Sequence, residues 1–164
     1  MIHLVSGDIL QTRARALAHG VAPGDHFDSG LALALRERWP AMVKDFRHYC
    51  QLEHPKPGEI WTWAGADGTR ILNLLTQEPA PAPHAHPGRA SVSHVNHALR
   101  ALRRVAEKEQ LEALALPRLA TGVGGLDWKD VRPLIERHLG ALKIPIYVYE
   151  TYQSGVAAKE PAGS

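Results

Sequence analysis

The sequence predicts an α/β fold, a three-layer α/β/α sandwich around a central mixed sheet. Three observations carry that expectation. In the second half of the chain, short apolar runs with strand character alternate with helical stretches, which implies parallel strands joined by crossover helices. Two strand-like runs flank Asp67-Gly68, which adds an antiparallel hairpin. The chain of 164 residues is 45% hydrophobic, enough for one domain with a substantial core.

The elements follow in order. Ile2 to Ser6 reads as a first strand, closed by Gly7-Asp8, and Leu17 to Val21 as a second. Ala22 to Ser29 is a loop marked by Pro23-Gly24. From Gly30 the pattern is helical, with Leu31, Ala34 and Leu35 on one face. Pro40 ends or kinks that helix after Trp39, and a second helical piece is expected from Ala41 to about Cys50. Ile60 to Trp63 and Arg70 to Thr76 form the hairpin. Gln77 to Ala90, rich in proline, alanine and histidine, reads as a long surface loop of the kind that carries function.

Ser91 to Gln110 reads as a long amphipathic helix whose stripe of Val92, Val95, Leu99, Leu102 and Val105 is expected in the core. Leu114 to Leu116 is a buried strand. Asp127 suits the N-cap of a helix through Leu139, ended near Gly140. Ile144 to Tyr149 is the last strand. One domain is therefore expected over residues 1–153, with a small, polar, flexible tail over 154–164.

Composition narrows the function classes. The net charge is +2 with 22% charged residues, so binding of duplex nucleic acid by bulk charge is not implied. Arg100, Arg103 and Arg104 read as a solvated helix face. Cys50 is the single cysteine, which excludes an intrachain disulfide and fits a reducing, cytoplasmic setting. It reads as a small apolar residue near a helix end and not as a nucleophile. No apolar run approaches membrane-spanning length, and the N-terminus lacks the pattern of a signal peptide. The expected form is a monomer.

Leu116 to Trp128 is the most informative stretch. It reads as the end of a buried strand, a loop with Gly122, Gly124 and Gly125, then a helix start. Backbone N–H groups in such a loop, without Cβ atoms in the way, suit a phosphate or diphosphate. A tight strand-to-helix turn uses the same residues. The loop is a poor dinucleotide fingerprint, because it does not follow the first strand. His84-x-His86, and His94 with His97, have ligand-like spacing but no completing partner, so no metal is expected.

Taken in order, these motifs resemble the macrodomain family. The resemblance runs from Gly7-Asp8-Ile9-Leu10 to Val148-Tyr149. It includes Ser29-Gly30-Leu31-Ala32 at a helix start, Asn73-Leu74 on a central strand, and Leu116-Pro117-Arg118 with its glycine loop. Leu17-Ala18-His19-Gly20 and Gly124-Gly125-Leu126-Asp127-Trp128 are similar to the branch of terminal ADP-ribose protein glycohydrolases and antitoxins that remove ADP-ribose from DNA.

The resemblance implies ADP-ribose as ligand and no cofactor. Asp8 would accept from the adenine amino group, with Ile9 beside it; the alternative for Asp8 is a turn or cap. Ser29, Gly30 and Leu31 would meet the diphosphate from one side, and Thr121, Gly122, Val123, Gly124, Gly125 and Leu126 from the other. His19 lies in a ligand-side motif. Tyr149 or Tyr152 would stack on adenine, with core packing the alternative for Tyr149. Phe27 would wall the distal ribose.

Hydrolytic members of that branch commonly carry a lysine where this chain has Gln77, and some an aspartate where it has Gly124. Catalysis here would therefore need another constellation. Asp28 is a candidate to orient or deprotonate water, or else a helix N-cap. Gln77 is a candidate to position that water, and His84, with His86, an acid or base. The expected activity is hydrolysis of ADP-ribose from a modified macromolecule. An ester on protein Asp or Glu is expected first, and ADP-ribosylated DNA is a further partner. A non-catalytic ADP-ribose reader and a phosphatase acting on ADP-ribose 1''-phosphate are the alternatives.

Overall fold

The computed structural model describes residues 1–162. Among these, six strands form one sheet: β1 (Ile2–Gly7), β2 (Ala16–Val21), β3 (Ile60–Ala64), β4 (Arg70–Leu75), β5 (Leu114–Pro117) and β6 (Ile146–Tyr152). Their order is β1-β6-β5-β2-β4-β3. Neighbours pair in parallel except β3, which returns antiparallel on β4. Four helices flank the sheet: α1 (Gly30–Arg38), α2 (Pro40–Glu53), α3 (Val92–Lys108) and α4 (Trp128–Leu139). The mixed-sheet sandwich expected from the alternation is the fold observed.

Each face of the sheet has its own core. Leu72 and Leu74 of β4 point toward α3 and α4, where Leu99, Leu102 and Ile135 close over them. Ile71 and Leu75, one residue out of phase, face Phe46 of α2 and Leu35 of α1. Burial on both faces explains why β2 and β4 read as continuous apolar runs.

Several boundaries differ from the sequence reading. Pro40 opens α2 at its first turn, where its missing N–H is not needed, so one proline both stops α1 and starts α2. That helix runs on to Glu53 and ends at His54 in the left-handed region. Val92 is exposed at the first position of α3, outside the core stripe, because the helix is only beginning to turn there. A short 3-10 turn, Ile9–Gln11, capped by Asp8, follows β1. The last strand starts at Ile146 and continues to Tyr152, pairing Tyr152 with Gly7.

The chain does not leave the domain at 153. Ala158 is buried in the α1/α2-side core, and Glu160 accepts a 2.6 Å bond from the Tyr149 hydroxyl. Gly163 and Ser164, the end of the segment expected to be flexible, lie outside the described residues.

Candidate functional site

The C-terminal ends of β2, β5 and β6 open into a cleft of about 1480 Å³. Ligands in α/β sheets sit at this edge, where neighbouring crossovers diverge.

One wall is the loop 22–29 with the start of α1. Asp25 organises the loop: its carboxylate accepts the Ala22 N–H at 3.0 Å and the Phe27 N–H at 2.8 Å. Phe27 then adopts φ 59°, a conformation costing about 1–2 kcal/mol for a residue with a Cβ. Its ring offsets that cost by full burial, edge-on to Phe46 at 5.4 Å. Phe27 is therefore a loop anchor inside the core and does not line the cleft. Ser29 N-caps α1 without a side-chain bond, and Gly30 at φ 57° has no neighbour within 4 Å of a Cβ position. The amides of Gly30, Leu31 and Ala32 precede Leu33, whose N–H is the first to donate within the helix, to Ser29 O, so this helix start presents free donors and the positive end of its dipole.

The facing wall is Arg118 to Gly124. Leu126 N–H bonds Ala120 O at 3.0 Å and Gly125 N–H bonds Gly122 O at 3.0 Å, which closes the loop on itself. The amides of Thr121, Gly122, Val123 and Gly124 find no acceptor among the described residues. A Cβ on Gly124 would lie 2.6 Å from Ala120 O, so only glycine fits there. Gly125 and Leu126 turn away from the cleft, Gly125 against Arg89 and Leu126 against the α3/α4 core. The lining therefore ends at Gly124, two residues before the expected limit, because the loop must re-enter the core to start α4.

His19 and Gln77 reach the cleft from β2 and the end of β4. His19 Nε2 lies 2.6 Å from Asn73 Oδ1 across paired strands. Burial drives its pKa down to about 4, against the raising effects of the Asn73 bond and the Asp25 charge. It is thus a neutral imidazole held by Asn73 and no proton carrier near neutrality. Gln77 is 5% exposed. Its amide nitrogen donates to Gly88 O at 3.0 Å and its backbone bridges Ala90, so it clasps both ends of the proline-rich loop. The Gln77 carbonyl oxygen is the atom left for a water or a hydroxyl.

At the rim, Asp28 pairs with Arg36 at 2.8 Å with its side chain largely exposed. His84 is exposed on the loop at φ 66°. Asp28, Gln77 and His84 all line this one cleft, as do His19 and Tyr152. The two tyrosines separate: Tyr149 is buried, with its hydroxyl on Glu160, whereas Tyr152 is 70% exposed. Tyr152 is the ring free to stack. Asp8 is outside the main cleft, in a separate recess with Leu10, Thr12 and Arg38, and Ile9 is buried.

The cleft also has cations that the sequence reading did not assign: Arg36, Arg47 and Arg118. Arg118 borders the glycine loop and was legible there; Arg47 comes from α2 and only the tertiary fold brings it near. Cys50 is half-buried, receives the Gly24 N–H at 3.4 Å, and has its thiol pKa raised by burial, so it is unsuited to nucleophilic attack. No group of three or more potential metal ligands converges among the described residues.

A β2–β5–β6 cleft walled by a helix start and a glycine loop defines a class of fold, and sequence comparison names it. The Macro domain model matches residues 22–135, and the chain belongs to that family. It is 28% identical over 160 residues to a DNA ADP-ribosyl transferase–DNA ADP-ribosyl glycohydrolase fusion protein of Thermosipho africanus, covering 90% of this chain and 41% of the relative. It is 29% identical over 134 residues to a DNA ADP-ribosyl glycohydrolase of Mycobacterium tuberculosis, covering 80% and 36%. The chain thus spans about two fifths of these relatives. The human ADP-ribose glycohydrolase OARD1 is 24% identical over 149 residues, with 90% of each covered. The macrodomain of Thermus aquaticus DarG superposes with a TM-score of 0.79 at 25% identity, covering 92% of this chain and 98% of that one. Thermosipho africanus DarTG in complex with ADP-ribose shares the fold, with a TM-score of 0.77 at 22% identity over 95% of this chain and 42% of that one.

Proposed function

We propose that this chain binds ADP-ribose in the cleft and hydrolyses its attachment to a macromolecule without a lysine nucleophile. One observation carries the reading. Two sets of unpaired amides, at the α1 start and along Thr121 to Gly124, face the same cleft, with Asp28 and Gln77 among its lining residues. Opposed N–H groups suit a diphosphate, which is anionic on both sides. Arg36 and Arg118 add charge. Tyr152 offers the adenine a flat face, and Asp8 an acceptor for its amino group.

With the diphosphate held, the distal ribose falls to the Asp28, Gln77 and His84 end. A water held by the Gln77 carbonyl attacks the anomeric carbon. Its proton passes to the Asp28 carboxylate, and the bond to the attached oxygen breaks, the pair leaving with that group. An ester to a protein Asp or Glu loses a carboxylate, a good leaving group needing no added acid. ADP-ribosylated DNA is the second substrate reading, favoured by the names of the Thermosipho and mycobacterial relatives.

The test is release of ADP-ribose from protein modified on acidic side chains and, in parallel, from an ADP-ribosylated oligonucleotide. Release from either, reduced at least 100-fold by Asp28→Ala with ADP-ribose affinity kept, supports the reading. Tight binding with no release from either makes the chain a reader. Absence of binding removes the assignment of ligand as well.

A further inference from the structure

The segment beyond β6 makes more contacts with the Gly7-Asp8 corner than a tail needs. Asp8 N–H donates to Val156 O at 2.7 Å, and Gly155 N–H donates to Asp8 Oδ2 at 2.9 Å. The other carboxylate oxygen, Oδ1, takes the Leu10 N–H at 3.0 Å. A Cβ on Gly7 would lie 2.8 Å from Val156 O and 2.8 Å from Ala158 N, so the segment seats directly on that glycine. Further along, Glu160 binds three groups. One oxygen takes the Arg13 N–H at 2.8 Å; the other takes the Thr12 hydroxyl and, at 2.6 Å, the Tyr149 hydroxyl. The Tyr147 hydroxyl bonds Pro161 O. Ala158, between these anchors, is buried.

We infer that residues Gly155–Pro161 form a strap that fixes the Asp8 carboxylate for the adenine end of the ligand, with Glu160 as the positioning residue that locks the strap down. The inference rests on the ADP-ribose reading and deepens it. Asp8 sits on a short turn at an edge strand, with one local bond to orient it. A carboxylate held by a single N–H rotates, and ordering it on binding costs affinity. The strap supplies the second bond to the opposite oxygen, so the acceptor is oriented before the ligand arrives. Glu160 touches no ligand group in this scheme. It ties the strap to Thr12 and Arg13, directly beyond the turn that Asp8 caps, and to Tyr149 on β6. The burial of Ala158 argues that the strap is a wall of the domain and no removable plug.

The test is a double-substitution cycle in the full chain, read by calorimetric titration of ADP-ribose. Glu160→Ala is expected to weaken ADP-ribose about tenfold in the native background and less than twofold in an Asp8→Ala background. Equal losses in both backgrounds would overturn the inference, since Glu160 would then act on general stability. Tighter binding after Glu160→Ala would also overturn it, making the strap an obstruction. A second arm needs no ligand. Hydrogen exchange at the Leu10 and Gly155 amides is expected to speed up at least tenfold in Glu160→Ala and to stay slow in Lys159→Ala; unchanged exchange in Glu160→Ala sinks the coupling. If the native chain binds no ADP-ribose, the functional reading fails, while the exchange arm still decides whether Glu160 holds Asp8.

Discussion

At the scale of single residues, two buried aromatic side chains have consequences that solution measurements can check. His19 has its pKa lowered to about 4 by burial. The unfolded chain takes up that proton near the ordinary imidazole value of 6.5, so between the two values the unfolded state binds more protons. Stability is full above 6.5 and is lost as pH falls toward 4, by roughly 3 kcal/mol. His138, lowered chiefly by burial and then by Arg100, Arg137 and Arg103, adds a loss of the same sign. His19→Gln, which keeps an amide donor for Asn73, is expected to flatten most of the acid-side slope in urea midpoints measured from pH 7 to pH 4. An unchanged slope would remove His19 as the cause. Phe27 makes the second case. Phe27→Ala empties a fully buried site and is expected to cost about 3–5 kcal/mol in chemical denaturation. A loss below 1 kcal/mol would mean the loop is not anchored through this ring.

At the scale of elements, the two walls differ in how they are held. The α1 start hangs on Asp25 and Phe27, while the glycine loop hangs on its own backbone bonds and on the absence of a side chain at Gly124. Gly124→Ala would bring a methyl to 2.6 Å of Ala120 O and 2.9 Å of Ala90 Cβ. The loop must shift, turning its free amides off the ligand. ADP-ribose affinity is expected to fall at least tenfold with a loss of stability under 2 kcal/mol, compared by titration and by denaturant melts. Gly122→Ala is the contrast, because nothing lies within 4 Å of its Cβ position. The proline-rich loop is clasped by Gln77, and its exposed histidines are carried on that clasp. Its composition suggested a functional loop, yet only the tertiary structure shows that Gln77 clasps it, through the bond to Gly88 O.

At the scale of the whole molecule, ligand binding and stability are linked. Two independent cores flank the sheet, and the cleft sits where their loops meet, so a ligand that spans both walls ties them together. At 100 times its dissociation constant, ADP-ribose is expected to add about 2.7 kcal/mol. For a domain of this size that raises the melting temperature by about 5–10 °C. Asp28→Ala should keep that shift, since its role is assigned to the chemistry. Losing both the shift and turnover would place Asp28 in binding instead.

By itself the sequence determined the layers. Strand and helix periods, the Asp67-Gly68 turn, the Asp127 cap and the glycine spacing are local, and local chemistry is readable one window at a time. It also located the glycine loop, the α1 start, Asp28 and Gln77 as parts of one candidate site, through the order of motifs. What it could not decide were facts that depend on which side chain fills which space. Phe27 was expected to wall the ribose because an aromatic ring serves there, but its ring packs into the core beside Phe46 and Met42. Tyr149, for which ligand stacking and core packing both stood open, lines the cleft while its ring is buried on that same face. The residues past Gln153 look mobile from composition, since small and polar residues bury little. Bonds from Thr12 and Arg13 to Glu160, a bond from Gly155 to Asp8 and a methyl in the core hold them, and Asp8, Thr12 and Arg13 lie about 150 positions away in the chain. Contacts at that separation leave no periodic trace in sequence, so only the tertiary structure could decide them.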